Sequence, residues 1–211
     1  VEDIEKLVLP YTGVSPTRVH ALRLLAEQIE AKGILGDVVE CGVWNGGTAA
    51  LLAATATRSP QKRTVWLLDS FEGFPASTEK DGVSLRDNLV AKDFTGKIVG
   101  NVQKVEEVLR LVGADMGQVK ILPGWFKDTL LSVTSEKIAL LNIDADWYAS
   151  VKEVLEALYD RVVPGGFVSF DDYGFWPGCR AAVDEFVAAR KLNFVMHDVD
   201  QDMRWFCKER S

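Results

Sequence analysis

Two pairs of carboxylates carry the strongest chemical signal in the chain. Leu140-Leu141-Asn142-Ile143-Asp144-Ala145-Asp146 is an apolar run that ends on two acids, and Val168-Ser169-Phe170-Asp171-Asp172 is a second, with Asp171 27 residues after Asp144. Short apolar runs of this kind read as buried strands. On neighbouring parallel strands their ends would meet, and three or four carboxylates at one edge are not all ionised cheaply without a cation. Hard oxygen donors suit Mg2+ or a similar divalent ion. Asp144, Asp171 and Asp172 are the candidate metal ligands. Asp144 is also the candidate general base, because His20 and His197, the chain's two histidines, stand at no strand end that carries the site. A plainer reading is helix capping, since Asp146 and Asp172 each precede a helical pattern.

A second constellation lies upstream. The run Asp37-Val38-Val39-Glu40-Cys41-Gly42-Val43-Trp44-Asn45-Gly46-Gly47-Thr48 places Glu40, Gly42, Gly46 and Gly47 in a strand-to-helix turn, with Trp44 and Thr48 in the same stretch. Glycines let a ligand approach the backbone. No Lys follows Gly47, and an acid two residues before Gly42 would repel a pyrophosphate but attract a cation, such as the amino group of an amino-acid-bearing cofactor. Asp69, followed by Ser70, closes the next apolar run 22 residues after Gly47. That matches the offset of about 20 residues at which an acid meets a ribose hydroxyl. An adenosine cofactor with a cationic head is implied, and S-adenosylmethionine has both features. The plainer alternative is a tight turn whose glycines serve packing. Trp125 and Phe126, opening a helix after Leu122, are candidates to touch the adenine.

The elements that position these residues alternate. Ser15-Pro16 reads as an N-cap and first helical residue, followed by Val19, Leu22, Leu25, Ala26 and Ile29 at helical spacing up to Gly33. Short apolar runs at 38–41, 65–69, 119–122, 138–144 and 167–171 then interleave with helical patterns. Runs flanked by helices on both sides read as buried parallel strands. Phe194–Val199 and Met203–Cys207 flank Asp200-Gln201-Asp202 as a closing antiparallel hairpin. The predicted fold is α/β: a doubly wound, Rossmann-like, mostly parallel seven-stranded sheet with a C-terminal antiparallel hairpin. Ligands of such sheets bind beyond the carboxyl ends of the strands. An N-terminal helical segment (1–36) is expected to pack on a core domain (37–211).

Composition narrows the function classes. The 211 residues are 47% hydrophobic and 26% charged with a net charge of −7, an ordinary folded domain with no basic stretch for nucleic acid or an anionic membrane surface. The longest uncharged apolar run is about half the ~18 residues of a bilayer span, and the chain opens with the acids Glu2, Asp3 and Glu5. Cys41, Cys179 and Cys207 form no CxxC, so neither a disulfide framework nor a zinc site is indicated. A cytoplasmic protein is expected, acting on a small molecule, with no nucleic-acid or membrane partner.

Five motifs, taken in order, resemble one family. Val38–Gly47, Asp69-Ser70-Phe71-Glu72-Gly73-Phe74-Pro75, Gly124-Trp125-Phe126-Lys127-Asp128-Thr129-Leu130, Ile143-Asp144-Ala145-Asp146-Trp147-Tyr148, and Asp171-Asp172-Tyr173 with Trp176-Pro177-Gly178-Cys179-Arg180 are similar to the macrocin O-methyltransferases (TylF/MycF/NovP-like), over about Tyr11 to Phe206. The resemblance implies a class I, S-adenosylmethionine- and Mg2+-dependent O-methyltransferase acting on a hydroxyl, typically of a sugar on a natural product. It implies the metal on Asp144, Asp171 and Asp172, the ribose on Asp69, the cofactor's methionine end on the Glu40–Gly47 turn, and a homo-oligomer, dimer or tetramer. Trp147 stands where the family often has Leu. Two rivals are a catechol- or phenol-type O-methyltransferase, served by the same metal logic, and a metal-dependent glycosyltransferase using Asp144 and Asp146 as a D-x-D.

Overall fold

In the computed structural model, which describes residues 3–209, the apolar runs become the strands of one seven-stranded sheet. The strands are β1 (Asp37–Cys41), β2 (Val65–Asp69), β3 (Val119–Pro123), β4 (Ile138–Ile143), β5 (Val162–Phe170), β6 (His197–Asp198) and β7 (Arg204–Cys207), in the order β3-β2-β1-β4-β5-β7-β6. β1 to β5 are parallel, and β7 runs antiparallel to both of its neighbours. The expected α/β sheet with its closing hairpin is therefore present. Val1, Glu2, Arg210 and Ser211, inside the anticipated 1–36 and 37–211 bounds, lie outside the described residues.

Side-chain alternation builds a core on each face of the sheet. Val39, Cys41, Leu68, Leu141, Ile143, Val168 and Phe170 serve one face, and Val38, Leu67, Leu140 and Phe167 the other. Neighbouring positions point to opposite sides, as a pleated strand requires. Helices α1 (Ile4–Val8), α2 (Pro16–Ala31), α3 (Gly47–Thr57) and α4 (Val102–Leu111) cover the second face; α6 (Tyr148–Leu158) and α7 (Pro177–Ala189) cover the first, beside the short α5 (Phe126–Thr129). The Ser15 side chain caps α2 by accepting from the Arg18 N–H, and Val19, Leu22, Leu25, Ala26 and Ile29 are its buried residues. At about 1.5–3 kcal/mol for each large aliphatic side chain buried, this face rather than helix propensity docks α2.

Two boundaries differ from the sequence expectation. β5 starts at Val162 rather than Phe167, because Val162 already pairs with Ile138 before the register shifts through Gly165 and Gly166. The strand expected over Phe194–Val199 shrinks to His197–Asp198, since Phe194 leaves the ladder to stack on Phe206 with ring centroids 3.7 Å apart. Helix α1 had no expectation.

The chain winds outward from β1 through β2 to β3, then crosses back to place β4 on the other side of β1. The carboxyl ends of β1 and β4 thus flank the point where winding reverses, the crevice in which open α/β sheets bind ligands.

Candidate active site

Strand ladders continue one residue past β1, β4 and β5, and this fixes the site's floor. Asp144 N–H donates to the Cys41 carbonyl at 2.8 Å, Gly42 N–H to Leu68 at 2.8 Å, and Asp171 N–H to Ile143 at 3.0 Å. Gly42 has φ +94°, and a Cβ there would run into the Asp144 carbonyl, so glycine sets how closely β1 approaches the end of β4. Trp44, Phe71 and Asp146 all take left-handed φ values of 48–55° just past β1, β2 and β4. Such backbone is costly for aromatic residues and gathers at functional sites.

Asp69 ties the first turn to β2. Its Oδ2 accepts the Val43 and Trp44 amides at 2.8 Å each, and its Oδ1 accepts the Phe71 amide at 2.7 Å. With both in-plane lone pairs of Oδ2 used, Oδ1 keeps one for a ligand hydroxyl. Asp69 therefore shapes the turn besides lining the cavity.

Asp144, Asp171 and Asp172 each bring a carboxylate oxygen within 4.8 Å of the others. Asp172 Oδ2 is buried without a hydrogen-bond partner among the described residues. Burial, then like charges on neighbouring acids, drives the carboxyls of Asp144 and Asp172 well above the usual range. Burial also raises Asp171, against the opposing pull of Arg18. Neither Asp146 nor Asp172 caps a helix: α6 and α7 start after Trp147 and Trp176 without a side-chain cap. Capping thus does not explain the acids. Asp146 is not a member of this cluster.

Asp146 lines the cavity beside the trio. Its Oδ1 accepts the Trp176 indole N–H at 3.1 Å, and burial, followed by Asp171, pushes its carboxyl up to about 7. An aromatic box backs it: Trp147 and Trp176 meet edge-to-face at 4.7 Å, Phe74 packs on Trp147 at 4.9 Å, and the Trp147 indole donates to the Pro75 carbonyl at 3.0 Å. Of the aromatics in the flanking loops, Phe74 and Phe175 line the cavity, while Trp176 is buried as packing. Asp81, which the sequence did not single out, is fully buried; it accepts the Tyr148 amide at the start of α6 and both the amide and hydroxyl of Thr78. The Thr78 turn is its local signal, while its tie to α6 spans 67 residues and leaves no mark in the sequence.

Gly42, Trp44, Thr48, Asp69, Ser70, Trp125 and Phe126 line one cavity of about 610 Å3 together with Asp144, Asp171 and Asp172. Thr12, Gly13, Val14 and Arg18 reach the same cavity from the N-terminal segment. Glu40, Gly46 and Gly47 are not among its lining residues. Gly46 (φ +88°) abuts Val105, and Gly47 abuts Val8 and Thr12, so each of these two glycines has a packing role. His20 instead meets Glu5, and His197 stacks on Trp205, both away from the site. Burial drives the Cys41 and Cys179 thiols up, which keeps them inert.

Glu40 lies one layer beneath the floor. Ser169 donates to Asn142 at 2.7 Å and Asn142 to Glu40 Oε1 at 2.9 Å, a polar row across β5, β4 and β1, while Glu40 Oε2 has no hydrogen-bond partner among the described residues. Burial pushes the Glu40 carboxyl up to about 7 from 4.5. An acid raised on folding binds more protons folded than unfolded, so its contribution is intact below pH 4.5 and is lost as pH rises to about 7, a difference of up to about 3 kcal/mol. Glu40→Gln keeps the acceptor for Asn142 but buries an unpaired amide. The ligand-free variant should therefore gain roughly 1–2 kcal/mol over wild type at pH 8 and nothing at pH 4.5. Urea titrations at both values test this, and an equal change at both would refute it.

Comparison with known proteins agrees with this geometry. The family model of the macrocin O-methyltransferases (TylF) matches residues 3–208. The chain is 34% identical to mycinamicin III 3''-O-methyltransferase of Micromonospora griseorubida over 92% of its own length and 78% of that protein. It is 33% identical to demethyldecarbamoylnovobiocin O-methyltransferase of Streptomyces niveus over 91% and 73%. Among solved structures, the O-methyltransferase NovP superposes with a TM-score of 0.82 at 32% identity, covering 95% of this chain and 83% of that one. The calicheamicin methyltransferase CalS11, at 20% identity and a TM-score of 0.74 over 90% and 78%, shares the fold. This chain belongs to the macrocin O-methyltransferase family, a family of S-adenosylmethionine-dependent enzymes, and is an O-methyltransferase.

Proposed function

We propose that the chain binds S-adenosylmethionine over the ends of β1 and β2, holds Mg2+ on Asp144, Asp171 and Asp172, and methylates a sugar hydroxyl of a glycosylated natural product. The observation that carries this reading is the trio of carboxylates, half-buried Asp144 with buried Asp171 and Asp172, and its unpartnered Asp172 oxygen, on the wall of an open cavity. Asp144, Asp146 and Asp172 make no ion pair among the described residues, and Arg18 and Arg86 are the guanidinium partners of Asp171, Asp200 and Asp202. A divalent cation and a cofactor with a positive head suit that excess of negative charge.

A divalent ion bound there supplies Lewis acidity that lowers the pKa of a hydroxyl brought to it. The chain's residues do the rest. Gly42 lets the cofactor approach the backbone, Asp69 Oδ1 offers an acceptor to its ribose, and Trp125 and Phe126 offer apolar surface to its adenine. Phe74, Pro75, Ile98 and Phe175 wall the acceptor side and exclude water. Although the sequence offered Asp144 as both ligand and base, a carboxylate committed to a cation is a weak base. Asp146, outside the trio and anchored on one oxygen by Trp176, is the better proton acceptor for the hydroxyl. A relative of Streptomyces olivaceus, 33% identical over 90% of this chain and 72% of that protein and named 8-demethyl-8-(2,3-dimethoxy-alpha-L-rhamnosyl)-tetracenomycin-C 4'-O-methyltransferase, supports a sugar acceptor.

Calorimetric titration with S-adenosylhomocysteine, with and without Mg2+, tests the cofactor. Micromolar binding is expected, and Asp69→Ala should weaken it by about tenfold or more, because the variant loses a ribose acceptor and releases the Val43 and Trp44 amides. No binding under either condition rejects the reading. A panel of glycosides and catechols then separates sugar from phenolic acceptors.

A further inference from the structure

Arg18 reaches the site from the first turn of α2, and its side chain is 13% exposed on the cavity wall. Nη1 donates to Asp171 Oδ2 at 2.6 Å and lies 3.4 Å from the Asp171 carbonyl. Nε donates to Asp200 Oδ2 at 2.8 Å, and Nη2 to Asp202, whose other oxygen takes Arg86 from the loop between β2 and α4. Asp200 Oδ1 accepts the Asp202 and Met203 amides at 2.9 Å each. A planar guanidinium held on three sides has one position, and Asp171 is held with it.

This grip bears on which cation the trio takes. A carboxylate oxygen accepting a guanidinium N–H at 2.6 Å has one lone pair fewer and less charge to offer a metal. Asp171 Oδ2 keeps one lone pair but less charge, so Oδ1 is the stronger donor and chelation of a cation through both oxygens is disfavoured. Ca2+ collects roughly 6–8 oxygens and readily takes both from one carboxylate, whereas Mg2+ demands octahedral geometry and completes its shell with water. Asp144 and Asp172 carry no such restraint, so the discrimination sits at Asp171.

We propose that Arg18 is a positioning residue of the metal centre: by fixing Asp171 and drawing charge from one of its oxygens it favours ligation through the other oxygen alone and biases the centre towards Mg2+ over Ca2+. The inference rests on the metal-dependent reading above. It also makes the N-terminal segment part of the centre, since the restraint on Asp171 comes from α2.

The test is metal binding, not turnover. Dissociation constants for Mg2+ and Ca2+ are measured calorimetrically on the full chain as wild type, Arg18→Gln and Arg18→Lys, with S-adenosylhomocysteine affinity as the control for an intact fold. The ratio of the Ca2+ to the Mg2+ constant should fall by about tenfold in Arg18→Gln, with Arg18→Lys, which retains a single donor centre, in between. A ratio within about twofold of wild type, in a variant that still binds the cofactor product, overturns the proposal. Should Arg18→Gln lose the fold, Arg18→Lys decides alone: a fall of about threefold supports the proposal, and no change refutes it. Wild type that binds neither ion overturns the metal-dependent reading itself, an outcome distinct from any difference between variants.

Discussion

Asp146→Asn is expected to lower kcat by about 10²–10⁴-fold, the usual range for removing a positioned general base. Asn is nearly isosteric and retains an oxygen to accept the Trp176 indole N–H, now at 3.1 Å from Asp146. The aromatic box behind it should therefore stay in place. Because Asp146 is not one of the three clustered carboxylates, metal affinity and S-adenosylhomocysteine affinity should stay within about threefold of wild type. That split identifies a group acting in the transition state and not in binding. Initial rates at saturating cofactor and metal, with the two binding constants measured separately, provide the check. If Asp146→Asn turned over at the wild-type rate while Asp144→Asn did not, the proton would be assigned to Asp144, as the sequence first offered.

Much of this site was legible in the sequence, because local period and punctuation fix the strands and their ends. Asp144, Asp171 and Asp172 converge since β4 and β5 are consecutive parallel strands, an adjacency that follows from the βαβ pattern. Gly42 and Asp69 were recoverable for the same reason. Glu40 shares the strand face of Gly42 with period 2 but sits a step lower, outside the cavity lining, where Asn142 donates to it. Gly46 and Gly47 could not be sorted from cofactor glycines, because Val105, Val8 and Thr12 approach them only in three dimensions. Arg18 was hidden more deeply. In the sequence it is one polar residue of an amphipathic helix, while its partners Asp171, Asp200 and Asp202 lie 153–184 residues away. Periodicity shows which face of a helix is buried; it does not show which charge on the rim of that face closes a network.

Asp172→Asn should move stability and activity in opposite directions. In the metal-free protein Asp172 is buried among like charges with one oxygen unpartnered, and neutralising it relieves repulsion from Asp146, Asp144 and Asp171. A gain of roughly 1–2 kcal/mol in unfolding free energy is expected, or several degrees in Tm for a chain of this size. Addition of Mg2+ should stabilise wild type and raise its Tm with concentration, as ligand linkage requires. The variant should show little of that rise. Its kcat/KM should fall on the order of 10²–10³-fold, since losing a metal ligand forfeits several kcal/mol of charge stabilisation. Treating wild type with EDTA should reproduce the loss, and Mg2+ should restore it, whereas the variant recovers little. Stabilisation without metal together with lost response to metal is the signature of a carboxylate held at an energetic disadvantage for binding a cation. If Asp172→Asn instead destabilised the metal-free protein and kept its response to Mg2+, Asp172 would be a structural acid and the ion would belong elsewhere in the cavity.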